Sequence, residues 1–539
     1  MKTKYLLIAA VTLFTVACSK DMLEKYPQDK INDMNFWNAA SEVTMYANQF
    51  YSSFTKEYIW QYDNYTDNNA PNNRNAYIWG ESVVPVTGGG WGKTDWERIR
   101  GCNYALQRVA RMARTSELDV AEAELRFFKS YYYLEKVKRF GDVPWFDKDL
   151  QTNSEELYKG RDARKVVVAN ILSDLDYAVQ HLPPTSPTDR LTKYAALALK
   201  AETCLFEGTF RKYHGLGDFE ELLRQAANSC EEIMKTGIFS LYTTGKPNED
   251  YFNLFVQYEL KGNPEGILVD RYITNKRMNN DVRKIGEAQT GFTKDFVESY
   301  LCKDGLPISL SKLYKGDARF EDEFVDRDPR MAQTVYNSDR PYRIYDDGSV
   351  MYKPMPQFDL LFCPTSYNII KGYSPYEKDR QENQGVIDHF VYRYGVILVS
   401  YAEAKAELGE CTQDVLDKSI NLLRSRVGMP PLMVAVGFVD PNWPKWEVAV
   451  SPLINEIRRE RRVECCEEAI RFDDLVRWKA GKLLENPKTQ YGALDPATAS
   501  YRVIYPGFER KWNDKLYLYP IPSQEISLNP ALKQNHGWE

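Results

Sequence analysis

Histidine is almost missing from this chain: four residues among 539, at positions 181, 214, 389 and 536. No two of them stand at HExxH or paired-ligand spacing, which removes a zinc hydrolase from consideration. The nine cysteines form no CxxC ladder, and Cys465 and Cys466, adjacent in a helical stretch, point apart and cannot bridge. Cys204 and Cys230 fall in amphipathic helix patterns and read as small buried hydrophobes, so this is no disulfide scaffold. Positive charge is not in surplus: 70 Lys plus Arg against 76 Asp plus Glu leave −6, which argues against a nucleic-acid partner. An apolar run of 18 residues is lacking, so no segment can span a bilayer as a helix. No G-x-S-x-G nucleophile elbow occurs. Gly92-Lys93-Thr94 has Thr87 where a phosphate loop needs glycine, so Gly88–Thr94 is expected to be a Gly-rich approach to a helix, displaying Trp91. Asp346-Asp347-Gly348 marks a turn without the ligand ladder of a calcium loop. No cofactor is expected, a structural calcium held by carboxylates and carbonyls being the one open alternative.

What the chain does have is aromatic rings: 37 Tyr, 24 Phe and 11 Trp in an otherwise ordinary globular composition. Tyrosine offers a broad apolar face and a hydroxyl, so the surplus suits either core packing or a recognition surface. At the start, Lys2 and Lys4 precede twelve apolar residues, Tyr5–Val16, too few to cross a membrane and right for a signal peptide. Thr15-Val16-Ala17-Cys18 resembles a bacterial lipobox, with Thr15 in place of the usual Leu-like residue. Residues 1–17 are then the leader, Cys18 the lipidated terminus, and 18–539 the mature domain, anchored by its acyl chains alone.

Apolar residues recur at three- and four-residue steps over 38–56, 95–113, 120–140, 164–182, 192–213 and 219–236, which predicts helices. Leu182-Pro183-Pro184 and Gly215-Leu216-Gly217 are stop signals. A late pair is expected at 392–408 and 413–427. Helices in series, with small residues such as Ala195, Ala198, Ala201, Ala402 and Ala406 on one face, predict a mainly α, tetratricopeptide-like scaffold with little β structure. That scaffold should occupy about 38–240 and 389–480, with 481–539 as a C-terminal segment. Two stretches break the pattern, 58–94 and 243–388, rich in Tyr, Asn, Gly and Pro, and long irregular connections are usually functional.

Several motifs run in order along the chain: Leu23-x-x-Tyr26-Pro27-Gln28-Asp29; Arg139-Phe140-Gly141-Asp142-Val143-Pro144 after Arg126–Tyr133; Ala195–Ala201 followed by Glu207-Gly208-Thr209-Phe210; and Asp304-Gly305-Leu306-Pro307. They continue with Ile457–Glu464, Arg471–Trp478, Tyr519-Pro520-Ile521-Pro522, and Asn529-Pro530 through Gln534-Asn535 to Gly537-Trp538. Together these resemble the SusD/RagB family of outer-membrane nutrient-binding lipoproteins. The resemblance implies a tetratricopeptide-type scaffold carrying ligand-binding loops and no catalytic activity. It also implies a SusC-type TonB-dependent transporter as partner, on the extracellular side of the outer membrane of a Gram-negative, Bacteroidetes-like cell, to which oligosaccharide is delivered. Alternatives are a peptide or other nutrient as ligand, and a secreted glycoside hydrolase, which needs two carboxylates ~5–10 Å apart across a cleft.

In the near-C-terminal helix Glu460, Glu464, Glu467 and Glu468 interleave with Arg458, Arg459, Arg461, Arg462 and Arg471, so the carboxylates are expected to stay ionised in a structural network. A sugar ring shows one apolar face and an edge of hydroxyls, which an aromatic face with neighbouring amides or carboxylates complements. The first irregular stretch offers Tyr65, Tyr77, Trp79 and Trp91 with Asp67, Asn69, Asn72 and Asn73; the second offers Tyr342, Tyr345, Tyr352, Tyr367 and Tyr373. These are the expected ligand contacts. Trp96, Trp478 and Trp538 are expected in the core or at docking positions.

Overall fold

The computed structural model describes residues 36–55, 59–186 and 189–539. The leader, Cys18 and the Leu23–Asp29 motif lie outside them. The predicted helices are present as α1 (Ala40–Ala47, prolonged by a 3₁₀ turn through Phe54), α2 (Lys93–Val109), α3 (Ser116–Phe140), α4 (Arg164–His181), α5 (Lys193–Tyr213) and α6 (Glu220–Lys235). Threonine caps set two of the starts: the Thr115 and Thr192 hydroxyls accept the N–H of Leu118 and Ala195, donors the first turn cannot satisfy itself. Gly141, at φ 74°, ends α3 in a conformation that a side chain would disfavour.

Consecutive helices pack on one another, α3 on α4 and α5 on α6, as the hairpin reading requires. The alanines at 195, 198 and 201 are all buried. At Gly208 a Cβ would sit 3.0 Å from Leu223, so α6 approaches α5 more closely than a larger residue would allow. The scaffold resumes with α7 (Tyr394–Glu407), which packs on α6 and on α10 (Pro452–Glu464). The expected 413–427 helix is broken into α8 (Gln413–Asp417) and α9 (Ile420–Arg426). The Ser419 hydroxyl donates to the Val415 carbonyl, and its backbone leaves the helical region at φ −138°, ψ −93°, a competition serine is suited to. A turn then leads from α10 to α11 (Arg471–Arg477), which rests on α5.

Among the described residues, β structure is confined to three two-stranded antiparallel sheets: β1 (Gly266–Asp270) with β4 (His389–Arg393), β2 (Arg343–Ile344) with β3 (Val350–Met351), and β5 (Tyr491–Asp495) with β6 (Ser500–Val503). The first of these pairs Val269 with Phe390 and Asp270 with His389, so it ties a segment of the second irregular stretch to the point where the scaffold resumes. That stretch is no open loop. Phe292, Phe296, Tyr300, Tyr336, Tyr367, Ile370 and Tyr373 form a hydrophobic core of their own.

The motifs have visible structural work. Asp142 accepts the Arg164 N–H at 2.8 Å and so caps α4, and Arg164 in turn grips Glu207 of α5 at 2.6–3.1 Å. Asn535 donates to the carbonyls of Phe140 and Tyr519 at 3.0 and 2.7 Å, tying the chain's end to the end of α3. Trp478 and Trp538 are buried in a further core, and Trp96 is half-buried against the helical one.

Candidate functional site

A cleft of about 390 Å³ opens where the scaffold meets both irregular stretches. Its size is at the lower end of the ~300–1,000 Å³ typical of small-molecule sites. Tyr131, Glu135 and Lys138 reach it from α3, at positions i, i+4 and i+7 on one helix face. Ala198 and Ala201 of α5 are too small to fill the space opposite, and Glu202 stands beside them. Phe390 and Tyr392 enter from β4, Phe472 and Asp473 from α11, and Tyr62 from the first irregular stretch. Tyr62, Tyr131, Phe390, Tyr392 and Phe472 are all half-buried, so these rings keep part of their surface open.

One ammonium organises the polar wall. Lys138 Nζ lies 2.6 Å from Glu202, 2.8 Å from Asp473 and 3.2 Å from Glu135. Burial pulls this ammonium down, yet Asp473, Glu135 and Glu202 together hold its pKa well above the ordinary lysine value. Burial pushes Asp473 up to about 6 against the pull of Lys138, and Glu135 and Glu202 repel its charge further. The Tyr392 hydroxyl donates to the other oxygen of Glu202 at 3.2 Å. The remaining cations of the cleft are tied into the back wall: Lys371 donates to the Tyr251 hydroxyl, the Cys466 carbonyl and Glu468, Arg393 to Glu464 and Glu468, Arg461 to Asp474, and Arg477 to Glu403.

Behind that wall the expected Arg–Glu network exists. Glu464, fully buried, is bonded by Arg330, Arg393 and Arg426 at 2.8–3.0 Å; burial opposes its charge, and the three guanidiniums nonetheless hold the carboxyl far below its usual range. Glu467 departs from the expectation that these carboxylates stay ionised. Burial pushes its pKa well up and the neighbouring Asp63 adds repulsion, while its Oε1 accepts only the Asn69 amide at 2.6 Å. Among the described residues no arginine pairs with it; Glu467, at φ 58°, sits in the left-handed turn after α10, out of the helical register.

The thirteen expected ligand contacts fare differently. Trp79 is buried, with Arg74 and Arg510 each 5.0 Å from its ring and Tyr505 edge-on at 5.1 Å. Trp91 is not displayed but buried against Phe140 and Trp96, and Tyr77 stacks on Tyr519 at 4.0 Å. Tyr367 is buried with its hydroxyl on Glu323, and Tyr373 stacks beneath half-buried Tyr342. Asp67 is buried in ion pairs with Arg462 and Arg471, and Asn69 is buried on Glu467. These seven, Asp67, Asn69, Tyr77, Trp79, Trp91, Tyr367 and Tyr373, are core residues, because rings and ion pairs occupy the faces a ligand would need. Tyr65, Asn73 and Tyr352 are exposed, and Tyr345 is half-buried beside Arg343. Asn72 donates to the Leu360 carbonyl at 2.9 Å, so the two irregular stretches do meet, though outside the cleft.

A family model described as "SusD family" matches residues 235–538. The chain belongs to the SusD family. A second SusD-like model, described as "Starch-binding associating with outer membrane", matches residues 11–205. A SusD-like protein of Formosa agariphila is 22% identical over 552 residues, covering 97% of either chain. A SusD-like protein from Bacteroides fragilis has the same fold, with a TM-score of 0.75 and 25% identity over 95% of this chain and 100% of that one. A laminarin-binding SusD-like protein shares the fold at TM-score 0.57 and 20% identity, over 93% of this chain and 99% of its own.

The cleft of this SusD-family chain draws on residues the sequence reading passed over. The signal was present in Tyr131-Tyr132-Tyr133: a helix cannot turn three successive residues to one side. Tyr133 goes to the core, Tyr132 bonds the Ser53 hydroxyl, and Tyr131 is left to the cleft. Asp473-Asp474 divides likewise, Asp474 meeting Arg461 and Arg477 inside and Asp473 facing Lys138.

Proposed function

We propose that this chain binds oligosaccharide without turning it over and passes it to a TonB-dependent transporter of the SusC type, held at the outer membrane by lipid on Cys18. The observation that carries the ligand class is the cleft: open aromatic rings beside fixed carboxylates. Tyr131, Tyr392, Phe390 and Phe472 can cover the apolar face of a sugar, and carboxylates accept its hydroxyls, so both halves of the ring are complemented. The membrane part is supported by the lipobox-like leader and by the match to a family model described as associating with the outer membrane; the transporter part follows from the family resemblance alone. The carbohydrate assignment is further supported by the laminarin-binding relative of the same fold.

The test is an affinity-gel and glycan-array screen of the soluble form lacking residues 1–18. Retention by one or more glycans, with no release of reducing ends on prolonged incubation, is the expected result. A blank glycan screen alongside hits from a peptide library would contradict the ligand class, and reducing-sugar release would contradict the absence of turnover.

A further inference from the structure

The charges of the cleft are sorted by exposure. The carboxylates of Glu135, Glu202 and Asp473 keep 57, 38 and 31% of their side-chain surface open, whereas Lys138, Lys371 and Arg393 keep 9, 4 and 1%. Each of those cations is already engaged: Lys138 with three carboxylates, Lys371 and Arg393 with Glu468 and with backbone carbonyls. An incoming molecule therefore meets oxygen acceptors bearing negative charge and no available cation among the cleft's described residues. In a partly enclosed site such a field is screened less than on open surface, and like charge brought against it is strongly disfavoured.

We infer that the cleft selects uncharged, hydroxyl-rich saccharides and rejects polyanionic ones, such as uronate or sulfated glycans. The inference rests on the glycan reading of the same cleft and narrows it to one substrate class. Hydroxyls donate to Glu202 and Asp473 at no Coulombic penalty, while a ring carboxylate or sulfate placed there meets like charge, with the neighbouring cation already engaged. The aromatic rings alone would not discriminate, since a uronate and its neutral parent share the same apolar face. Discrimination thus resides in the Glu202–Lys138–Asp473 group.

The experiment is calorimetric titration of the soluble form lacking residues 1–18 with hexasaccharides in matched pairs: neutral β-1,4-glucan and β-1,4-mannan against the corresponding β-1,4-linked oligomers of glucuronate and mannuronate. At 50 mM salt at least one neutral hexasaccharide should bind, and every uronate at least about tenfold more weakly. Raising salt to 500 mM should narrow that gap, because the Debye length shortens to a few ångströms. The Glu202→Gln/Asp473→Asn double variant should narrow it by about threefold or more. A uronate that binds as tightly as its neutral counterpart would overturn the inference and leave glycan binding standing. A gap unmoved by salt and by the double variant would also overturn it. If no saccharide binds at all, the glycan reading fails and takes this inference with it. Should the double variant fail to fold, the salt series on the unaltered chain decides the matter by itself.

Discussion

The Asp67 carboxylate accepts both the Nε–H and an Nη2–H of Arg471, at 2.8 and 2.7 Å, across 404 residues of sequence. Arg462 adds a third contact at 3.3 Å, and all three groups are buried. Burial works against the Asp67 charge, yet the two arginines hold its carboxyl far below the ordinary range. This bond pins the first irregular stretch to the C-terminal helices. Asp67→Asn should therefore cost about 3–5 kcal/mol, because two guanidiniums lose their counter-charge in the interior. Chemical denaturation checks this. The folded fraction should keep its glycan affinity; a variant of undiminished stability with abolished binding would restore Asp67 to the site.

Trp79 makes the same distinction for an aromatic residue. Its ring is filled on its sides by Arg74, Arg510 and Tyr505, so Trp79→Ala should act as a core deletion, destabilising by about 3–5 kcal/mol. Denaturation midpoints together with affinity at low temperature separate the two roles. Loss of affinity in a fully stable variant would contradict the burial.

Glu467 gives a pH signature. Its folded pKa is raised, first by burial and then by Asp63, so the native state keeps a proton that the unfolded chain has released above its ordinary pKa near 4.5. Its contribution therefore favours the fold at acid pH and is lost as pH rises from about 4.5 toward the raised native value. Glu467→Gln imitates the protonated form and keeps an acceptor for the Asn69 amide. It should raise stability at pH 8 by about 1 kcal/mol or more and leave it unchanged near pH 4. Melting curves at the two pH values test this, and equal effects at both would contradict it.

Glu464 has the opposite sign. With its folded pKa depressed by Arg426, Arg393 and Arg330 against the effect of burial, the stability it supplies is present above pH about 4.5 and fades as the solution is acidified. Glu464→Gln should accordingly destabilise at pH 7 by about 3 kcal/mol or more, with the difference shrinking toward pH 3 in urea melts.

How far the sequence foretells this molecule depends on which interaction decides each part. Helices α2 to α6 were legible because their apolar spacing, threonine caps and proline stops are local signals that agree with one another. The break at Ser419 was not, since it turns on one hydroxyl donating to the Val415 carbonyl. The second irregular stretch looks unstructured along the chain because its core joins residues such as Phe292, Tyr336 and Tyr367 that carry no short period. For the site, composition pointed to tyrosines, and the tyrosines that line the cleft are not the ones it singled out. Trp79 and Tyr131 are both aromatic residues near polar neighbours; only tertiary packing buries the first under Arg510 and leaves the second beside a gap made by Ala198 and Ala201.

The claim on which the rest depends is that saccharide lies against the rings of Tyr131 and Tyr392. The direct measurement is calorimetric titration of the best-bound neutral hexasaccharide into the soluble form and into its Tyr131→Ala/Tyr392→Ala variant, each first shown to be folded. Loss of two stacking faces should weaken binding at least about tenfold; because both rings also pack against the helical core, the variant is titrated well below its own melting temperature. Unchanged affinity in the folded variant would contradict the account.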